Sequence, residues 1–280
     1  MKTEGIKLKI DTANWQDHLF GLPRARWDSL RDKSFWITGA GTGYGRCVAV
    51  ALAAAEARVF LTGRRKEKLQ ETLREMKELN IAADKCHLVI ADITDFKQIK
   101  TACDIVTDNC ESLYGLVNNA AVPARGDMPL PLLNGSSEDW DRIMNTNVRA
   151  PWLLTRTILP HMTKGYALRI LFVSSEAGWA FTHGFGPYNV SKAALNNLGA
   201  SMAAECAVAY PNVDVQINVL VPGEARTEMN QGSTNSPYSL VGMALALLSH
   251  PGDGPNGKFF YWDGRSDTFC SAPSYKGSVL

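Results

Sequence analysis

Hydrophobic residues along this chain form two kinds of pattern that alternate. Short runs rich in β-branched and aromatic residues predict strands, and most of these runs are almost continuously apolar. They cover residues 34–38, 58–62, 86–91, 115–119, 169–174, 215–221 and 258–262. Continuous apolar runs are typical of strands that helices cover on both faces, as in parallel sheets.

Segments between these runs show the longer repeat of amphipathic helices. Apolar residues recur every three or four positions in two of them, namely Leu69, Leu73 and Met76, and Phe96, Ile99, Cys103 and Val106. A third helical pattern begins after Ser136, which has capping-box spacing with Asp139, and runs toward Leu159 before Pro160.

Strands that alternate with helices predict an α/β fold with a doubly wound, seven-stranded, mostly parallel sheet of the Rossmann type. We place this sheet in a single domain, residues 34–280, because no linker or repeat interrupts it. Residues 1–33 lack a strong periodicity and are interpreted as an N-terminal arm. The arm packs either on the domain or on a partner subunit.

Composition narrows the functional classes. With a net charge of +1 and 20% charged residues, the chain lacks the basic excess that nucleic-acid binding uses. The six cysteines and five histidines show no metal-ligand spacing, so we expect no metal site and a reducing compartment. The sequence shows neither a signal-peptide core nor an apolar run of membrane-spanning length. We therefore expect a cytoplasmic protein with no membrane or nucleic-acid partner.

Glycines cluster in the turn after the first strand, where Thr38, Gly39, Gly43 and Gly45 form the pattern T-G-x-x-x-G-x-G. In a doubly wound fold, such a turn lets a pyrophosphate approach the N–H groups at a helix N-terminus. The alternative is a glycine-rich turn that only allows strand and helix to pack closely. The position directly after the first strand favours the nucleotide.

Two arginines close the second strand and indicate which dinucleotide binds. An NAD site usually has an acidic residue here for the ribose 2′-OH, whereas a basic residue suits a 2′-phosphate. Arg64 and Arg65 stand in this place, and the first acidic residue is Glu67. Arginine can form bidentate hydrogen bonds with phosphate, so NADP is favoured over NAD. The alternative is that both arginines belong to a solvated helix turn.

A tyrosine and a lysine four residues apart, Tyr188 and Lys192, are expected on one face of a helix. Eight tyrosines and 29 lysines and arginines predict about 0.8 such pairs by chance, so the pair alone means little. Its context is more specific. Ser175 ends a strand thirteen residues earlier, and Asn147 lies within the third helical pattern.

Together these features resemble the short-chain dehydrogenase/reductase family in its compact single-domain form. The resemblance spans residues 34 to about 264 and rests on the segments "TGAGTGYG" (38–45), "ADITD" (91–95), "NNA" (118–120), "NTN" (145–147), "VSS" (173–175), "YNVSK" (188–192) and "PGEART" (222–227). Several motifs in the expected order are far more specific than any one of them. The resemblance implies hydride transfer between a nicotinamide cofactor and a carbonyl or alcohol.

The family's catalytic roles fall on four residues of this chain. Tyr188 would be the general acid in reduction and the general base in oxidation. Lys192 would lower the pKa of Tyr188 and bind the nicotinamide ribose, because an ammonium about 4 Å away supplies roughly the required 4 kcal/mol. Ser175 would donate a hydrogen bond to the substrate oxygen. Asn147 would interrupt its helix and hold a water molecule in the proton path.

The resemblance also implies the cofactor contacts. Besides Tyr188 and Lys192, they are Gly39, Thr42, Gly43, Tyr44, Gly45, Arg64, Arg65, Asp92, Ile93, Asn119, Ala120, Pro222, Gly223 and Thr227. Asp92 would contact the adenine, although it could equally cap the next helix. The chain departs from the family pattern at Ala121, at Ala225 and in the "YWDGR" end of its last strand, and none of these is a catalytic position.

Two segments are expected to line the substrate pocket. The one between Ser175 and Tyr188 carries an aromatic set that could serve the pocket, the core or a subunit contact, namely Trp179, Phe181, His183 and Phe185, of which we favour His183 for the pocket. The polar stretch after Thr227 suggests an open site for a polar or sugar-like carbonyl compound, with Glu224 or Arg226 at its rim.

The resemblance further implies a homodimer or homotetramer. Two other functions stay open at this point. One is an NAD-linked alcohol dehydrogenase of the same family, and the other is a non-catalytic protein that senses the cofactor or acts as a scaffold.

Overall fold

The computed structural model describes residues 11–123, 131–180 and 183–268. Its strands are β1 Ser34–Thr38, β2 Arg58–Gly63, β3 Cys86–Ile90, β4 Gly115–Asn118, β5 Ala167–Val173, β6 Asp214–Val221, β7 Lys258–Tyr261 and β8 Ser266–Thr268. The α-helices are α1 Trp15–His18, α2 Arg24–Asp28, α3 Gly43–Ala54, α4 Lys66–Glu78, α5 Phe96–Asn109, α6 Ser137–Met144, α7 Ala150–Met162, α8 Gly186–Ala209 and α9 Val241–Leu248. Short 3₁₀ helices cover Thr12–Asn14, Leu19–Gly21, Glu176–Gly178 and Pro237–Leu240, and a π-helix covers Asn145–Arg149.

The strands form one sheet in the order β3-β2-β1-β4-β5-β6-β7-β8. All neighbouring pairs from β3 to β7 are parallel, which confirms the predicted seven-stranded α/β sheet. The short strand β8 adds an antiparallel edge that the prediction missed, because only three polar residues follow a tight turn there. The strand order reverses between β1 and β4, and open α/β sheets bind ligands at such a point.

Helices cover both faces of the sheet, and alternate strand residues point to opposite layers. Phe35 and Ile37 of β1 face the layer of α3, α4 and α9, whereas Trp36 faces the layer of α5, α7 and α8. These side chains are fully buried. The two apolar layers explain why the strands read as continuous apolar runs.

Residues 11–33 pack on their own chain, which was the first of the two alternatives for the arm. Phe20 stacks on Trp27 and on Tyr238, and all three side chains are buried. Arg26 donates to the carbonyl of Ala246 in α9. The described part of the arm therefore extends the apolar layer beneath α9.

The third helical pattern is divided into three pieces. It begins as predicted at Ser136, whose hydroxyl accepts from the N–H of Asp139 at 3.1 Å. The prediction that the helix ends before Pro160 is wrong, because α7 continues to Met162. A proline in the last turn removes one hydrogen bond close to the helix end, where little helix remains to be disrupted.

Candidate active site

A cavity of about 800 Å³ lies at the carboxyl ends of the parallel strands. The turns that follow β1, β2, β3, β4, β5 and β6 all contribute to its lining, together with the start of α8. Its volume is in the upper part of the range for small-molecule sites. The cavity lies at the reversal of strand order, where the fold opens a crevice.

The glycine-rich turn after β1 comes very close to the turn after β4. Gly39 has φ +66°, and a Cβ there would lie 2.8 Å from Nδ2 of Asn119. Nδ2 of Asn119 donates to the carbonyls of Thr38 and Gly39 at 2.9 and 3.3 Å. Bare backbone is thus required for the two turns to meet, which is the packing role that the sequence left open.

The N-terminus of α3 points into the same cavity. Gly43 begins this helix at φ +53° and lines the cavity, and no side chain of the described residues caps the helix there. The first turn also has no acidic residue. Uncapped N–H groups and the positive end of the helix dipole favour an anion, so close packing and anion binding are compatible uses of this turn.

One end of the cavity carries paired charges, and we call it the arginine end: Arg64, Arg65, Lys68, Asp92 and Glu228. Arg64 lies 3.6 Å from the carboxylate of Asp92, and Arg65 lies 2.6 Å from that of Glu228. Lys68 lies 3.8 Å from Glu228. The two arginine side chains are more than half exposed. This end can therefore exchange its ion pairs for contacts with an anionic ligand.

Asp92 does not cap the following helix. Its carboxylate accepts from the N–H and hydroxyl of Thr94 at 2.9 and 2.7 Å, whereas Asp95 accepts from the first N–H groups of α5. Burial raises the pKa of Asp92, but the hydrogen bonds from Thr94 and the nearby Arg64 outweigh it and hold the pKa below its usual value. Asp92 is thus an ionised group that shapes the arginine end.

The opposite end of the cavity, the tyrosine end, consists of Ser175, Tyr188 and Lys192. The side chains of Ser175 and Tyr188 are hydrogen-bonded to each other. Nζ of Lys192 is buried, donates to the carbonyl of Val173 at 3.0 Å and lies 5.6 Å from the centroid of the Tyr188 ring. The structure thus brings together three of the four predicted catalytic residues.

The sequence predicted that Lys192 lowers the pKa of Tyr188, whereas in the structure this pKa is raised. Burial raises the pKa of this phenol, and the hydrogen bond from Ser175 opposes the rise. Burial also lowers the pKa of Lys192 from 10.5 to about 8. Lys192 is therefore a weaker source of positive charge than a solvated ammonium, because the interior that strengthens its field also disfavours its charge.

Asn147 lies behind the cavity wall, in the π-helix between α6 and α7. Its side chain accepts from the N–H of Val122 at 2.8 Å and donates to the carbonyl of Val122 and the hydroxyl of Ser191, both at 3.1 Å. The predicted interruption of the helix is present. The side chain ties the turn after β4 to α8, which positions the tyrosine end.

Fifteen of the sixteen residues predicted to contact the cofactor line the cavity, and Gly45 is the exception. Gly45 is buried in α3, where a Cβ would collide with Gly39 and Asn119. Its role is therefore the close approach of two turns, not a cavity contact. Asn119 lines the cavity, but its amide nitrogen is committed to the backbone of the first turn.

Residues that sequence reasoning did not identify support the tyrosine end. Asn196, one helical turn after Lys192, accepts from the hydroxyl of Ser174. At the other wall, two residues that were predicted as cofactor contacts bind each other: the phenol of Tyr44 donates to the carbonyl of Gly223 at 2.8 Å. The sequence could have predicted a role for Asn196, because a residue four positions after Lys192 lies on the same face of the helix.

The segment between Ser175 and Tyr188 is only partly an aromatic wall. Phe185 lines the cavity, whereas Trp179 packs edge-on against Phe259 and Tyr261. His183 is exposed and is not among the lining residues, so the preference for a pocket role is wrong in this structure. Phe181 lies outside the described residues. Two carboxylates, Glu176 and Glu224, line the cavity at this side, and Arg226 does not.

Within residues 11–123, 131–180 and 183–268, no three His, Cys, Asp or Glu side chains group closely enough to hold a metal ion. The same ranges contain no helix with the length and apolar character needed to cross a membrane. Five free cysteines are described, at 47, 86, 103, 110 and 206.

Comparison with known proteins places this geometry in a family. The short chain dehydrogenase family profile matches residues 33–237. The chain is 30% identical over 235 residues to dehydrogenase/reductase SDR family member 4 of Bos taurus, covering 81% of this chain and 78% of the relative. It is also 30% identical over 219 residues to cyclopentanol dehydrogenase of a Comamonas strain, covering 78% and 82% of the two chains.

Solved structures agree with the sequence comparison. A short chain dehydrogenase from Escherichia coli CFT073, complexed with NADPH, superimposes with a TM-score of 0.74 at 25% identity. The alignment covers 84% of this chain and 98% of that one.

Proposed function

This chain belongs to the short-chain dehydrogenase family, and from that premise we propose that it is an NADP(H)-dependent oxidoreductase that interconverts a carbonyl and an alcohol. One observation carries the proposal: a single cavity joins Arg64 and Arg65 at one end to Ser175, Tyr188 and Lys192 at the other. The first set suits a 2′-phosphate, and the second suits proton exchange with a substrate oxygen.

The residues of the cavity fit the proposed cofactor. The uncapped N-terminus of α3 suits the pyrophosphate, and Asp92 and Ile93 line the arginine end where the adenosine would lie. Pro222, Gly223 and Thr227 form the wall toward the tyrosine end. When bound, the cofactor supplies or accepts the hydride. The NADPH complex of the related E. coli protein supports the choice of cofactor.

The chain's own part of the reaction is to hold and move a proton at the substrate oxygen. In reduction Tyr188 donates its phenolic proton, and in oxidation its phenolate accepts the proton of the alcohol. Ser175, hydrogen-bonded to this phenol, orients the same oxygen. Lys192 in its charged form stabilises the phenolate, and the carbonyl of Val173 fixes its position.

The substrate side of the cavity favours a polar carbonyl compound. Glu176 and Glu224 bring two carboxylates to a wall that also contains Phe185. A polyhydroxylated, sugar-like compound would satisfy both the carboxylates and the ring. One relative is named a cyclopentanol dehydrogenase, which supports the alcohol and carbonyl chemistry.

We also propose a cytoplasmic homodimer or homotetramer. The five described cysteines form no disulfide bond with one another, as is usual for proteins of a reducing compartment. Trp140 of α6 and Trp152 of α7 are more than a third exposed, and large exposed aromatic side chains are common in subunit interfaces. Light scattering during size-exclusion chromatography measures the assembly directly, and a monomer would contradict this part of the proposal.

Thermal unfolding with NADPH and, separately, with NADH tests the cofactor assignment. A ligand at 100 times its dissociation constant adds about 2.7 kcal/mol to the stability of the folded state, which raises the melting temperature clearly. We expect a larger rise with NADPH. A larger rise with NADH would favour the NAD-linked alcohol dehydrogenase, and no rise with either would favour a scaffold protein.

A further inference from the structure

Glu228 reaches the arginine end from a distant part of the chain. It follows β6, in the segment 222–230, of which every residue except Arg226 lines the cavity, whereas Arg65 and Lys68 follow β2. Its carboxylate accepts a hydrogen bond from Arg65 at 2.6 Å and lies 3.8 Å from Nζ of Lys68. One carboxylate from the opposite wall thus holds two of the cations that line this end.

The other cations at and near the arginine end form ion pairs with other carboxylates. Asp92 pairs with Arg64 at 3.6 Å, and Glu71 lies 3.0 Å from Lys68 and 2.9 Å from Arg46. Arg65 has its ion pair with Glu228. Arg64 and Arg65, the two proposed phosphate ligands, therefore each have a carboxylate partner already. Glu228 reaches its cations from the opposite wall of the cavity, and Arg65 is the nearer of the two.

An anion that binds Arg65 must compete with this carboxylate. A 2′-phosphate is such an anion, because it offers charged oxygens to guanidinium donors. A ribose that carries a 2′-hydroxyl is neutral and has no comparable attraction for Arg65. The ion pair between Arg65 and Glu228 can therefore persist when NADH binds, but not when the 2′-phosphate of NADPH binds Arg65.

We propose that Glu228 sets how strongly this chain prefers NADPH over NADH, by occupying Arg65 until a 2′-phosphate displaces it. The proposal rests on the proposed function, in which Arg64 and Arg65 bind that phosphate. Glu228 is a specificity-determining residue here and takes no part in proton transfer.

The exposure of the pair determines the size of the effect. The Arg65 and Glu228 side chains are 56% and 48% exposed, so solvent screens much of their attraction. Exposed ion pairs of this kind change an equilibrium by about two- to fivefold. Loss of the carboxylate should therefore tighten NADPH by about two- to fivefold and leave NADH nearly unchanged.

Isothermal titration of the full-length protein with NADPH and with NADH tests this. The variant is Glu228→Gln, and the matched control is Glu67→Gln, which removes the same charge two positions from Arg65 at an exposed residue that does not line the cavity. We expect the ratio of the two dissociation constants to change in the first variant and to stay at the wild-type value in the second.

A double-mutant cycle with Arg65→Gln locates the effect. Without Arg65, removal of Glu228 acts only through the more distant Lys68, so most of the gain in NADPH affinity should disappear. The proposal would be overturned if the effects of the two substitutions on NADPH affinity were additive. It would also be overturned if Glu228→Gln strengthened the binding of both nucleotides equally or weakened the binding of NADPH.

Wild-type binding separates the two proposals. If the wild type binds neither nucleotide, the proposed function fails. If it binds NADPH and Glu228→Gln leaves the ratio unchanged, the cofactor assignment stands and the role of Glu228 is wrong.

Discussion

At the arginine end Arg64 and Arg65 are more than half exposed and each is paired with a carboxylate. At the tyrosine end Lys192 is buried and donates a hydrogen bond to a main-chain carbonyl. The first arrangement rests on the loops after β2, β3 and β6 and on the first turn of α4. The second rests on strand β5 and on α8, the longest described helix, and Asn147 and Asn196 brace it from behind.

The difference reflects what each end has to do. Exposed ion pairs contribute little energy each, so they can be exchanged when a ligand arrives. Burial of a cation costs free energy because the charge loses its hydration. The packing of the rest of the protein must offset this cost and keep the side chain in place. The arginine end therefore favours exchange, and the tyrosine end favours fixed geometry.

Removal of the Tyr188 hydroxyl should have the largest effect. In Tyr188→Phe we expect the turnover number to fall by about 10²- to 10⁴-fold, because no other group of this end offers a proton to the substrate oxygen in the same way. Steady-state kinetics with NADPH and a carbonyl substrate measure the loss. Binding of NADPH should change far less.

Tyr238→Phe is the matched control. It removes a buried phenol that donates to Glu75, outside the cavity lining. Turnover should stay near the wild-type value. A similar loss of turnover in both variants would mean that the effect of Tyr188→Phe is structural.

Lys192→Met tests the cost of the buried cation. The pKa of Lys192 lies at about 8 in the folded chain and near its usual 10.5 when unfolded. Between these two pH values the unfolded chain binds more protons than the folded chain, so stability rises with pH. The destabilisation caused by burying the charged Lys192 is therefore complete below pH about 8 and absent above pH 10.5. At pH about 7 the variant should be more stable by about 1–2 kcal/mol, although inactive.

Urea unfolding at several pH values measures this advantage, which should shrink as the pH rises. Lys97→Met, at an exposed position of α5, should show no such pH-dependent difference from the wild type. A Lys192→Met protein that is less stable than the wild type at neutral pH would show that the hydrogen bond to Val173 outweighs the burial of the charge.

Ionic strength should give the smallest effect and separates the two ends directly. Between about 0.05 and 0.5 M salt, NADPH binding should weaken by about three- to fivefold, because exposed charges are screened. NADH binding should change less, because NADH has no 2′-phosphate to contact the exposed arginines. The turnover number under saturating cofactor should also change less, because the groups of the tyrosine end are buried and shielded from salt. Equal weakening of both nucleotides would contradict the assignment of the arginines to the 2′-phosphate.

Much of this molecule could be predicted from local patterns. The strand runs and the turn glycines predicted the sheet and its cavity, because burial on two faces leaves a direct trace in the sequence. Roles that depend on packing could not be predicted. Gly43 and Gly45 belong to the same glycine motif. Gly43 lines the cavity, whereas Gly45 is packed against Gly39 and Asn119 and does not line it.

The sequence by itself determined the parallel sheet, the family and the order of Ser175, Tyr188 and Lys192, because these follow from residue type and spacing. Only the tertiary structure decided how burial shifts the pKa values of Tyr188 and Lys192 and which carboxylate pairs with Arg65. The pKa of Lys192 depends on how deeply α8 and β5 bury it, and Glu228 lies 163 positions from Arg65. Burial and contacts between distant segments are properties of the packed chain, so no local pattern records them.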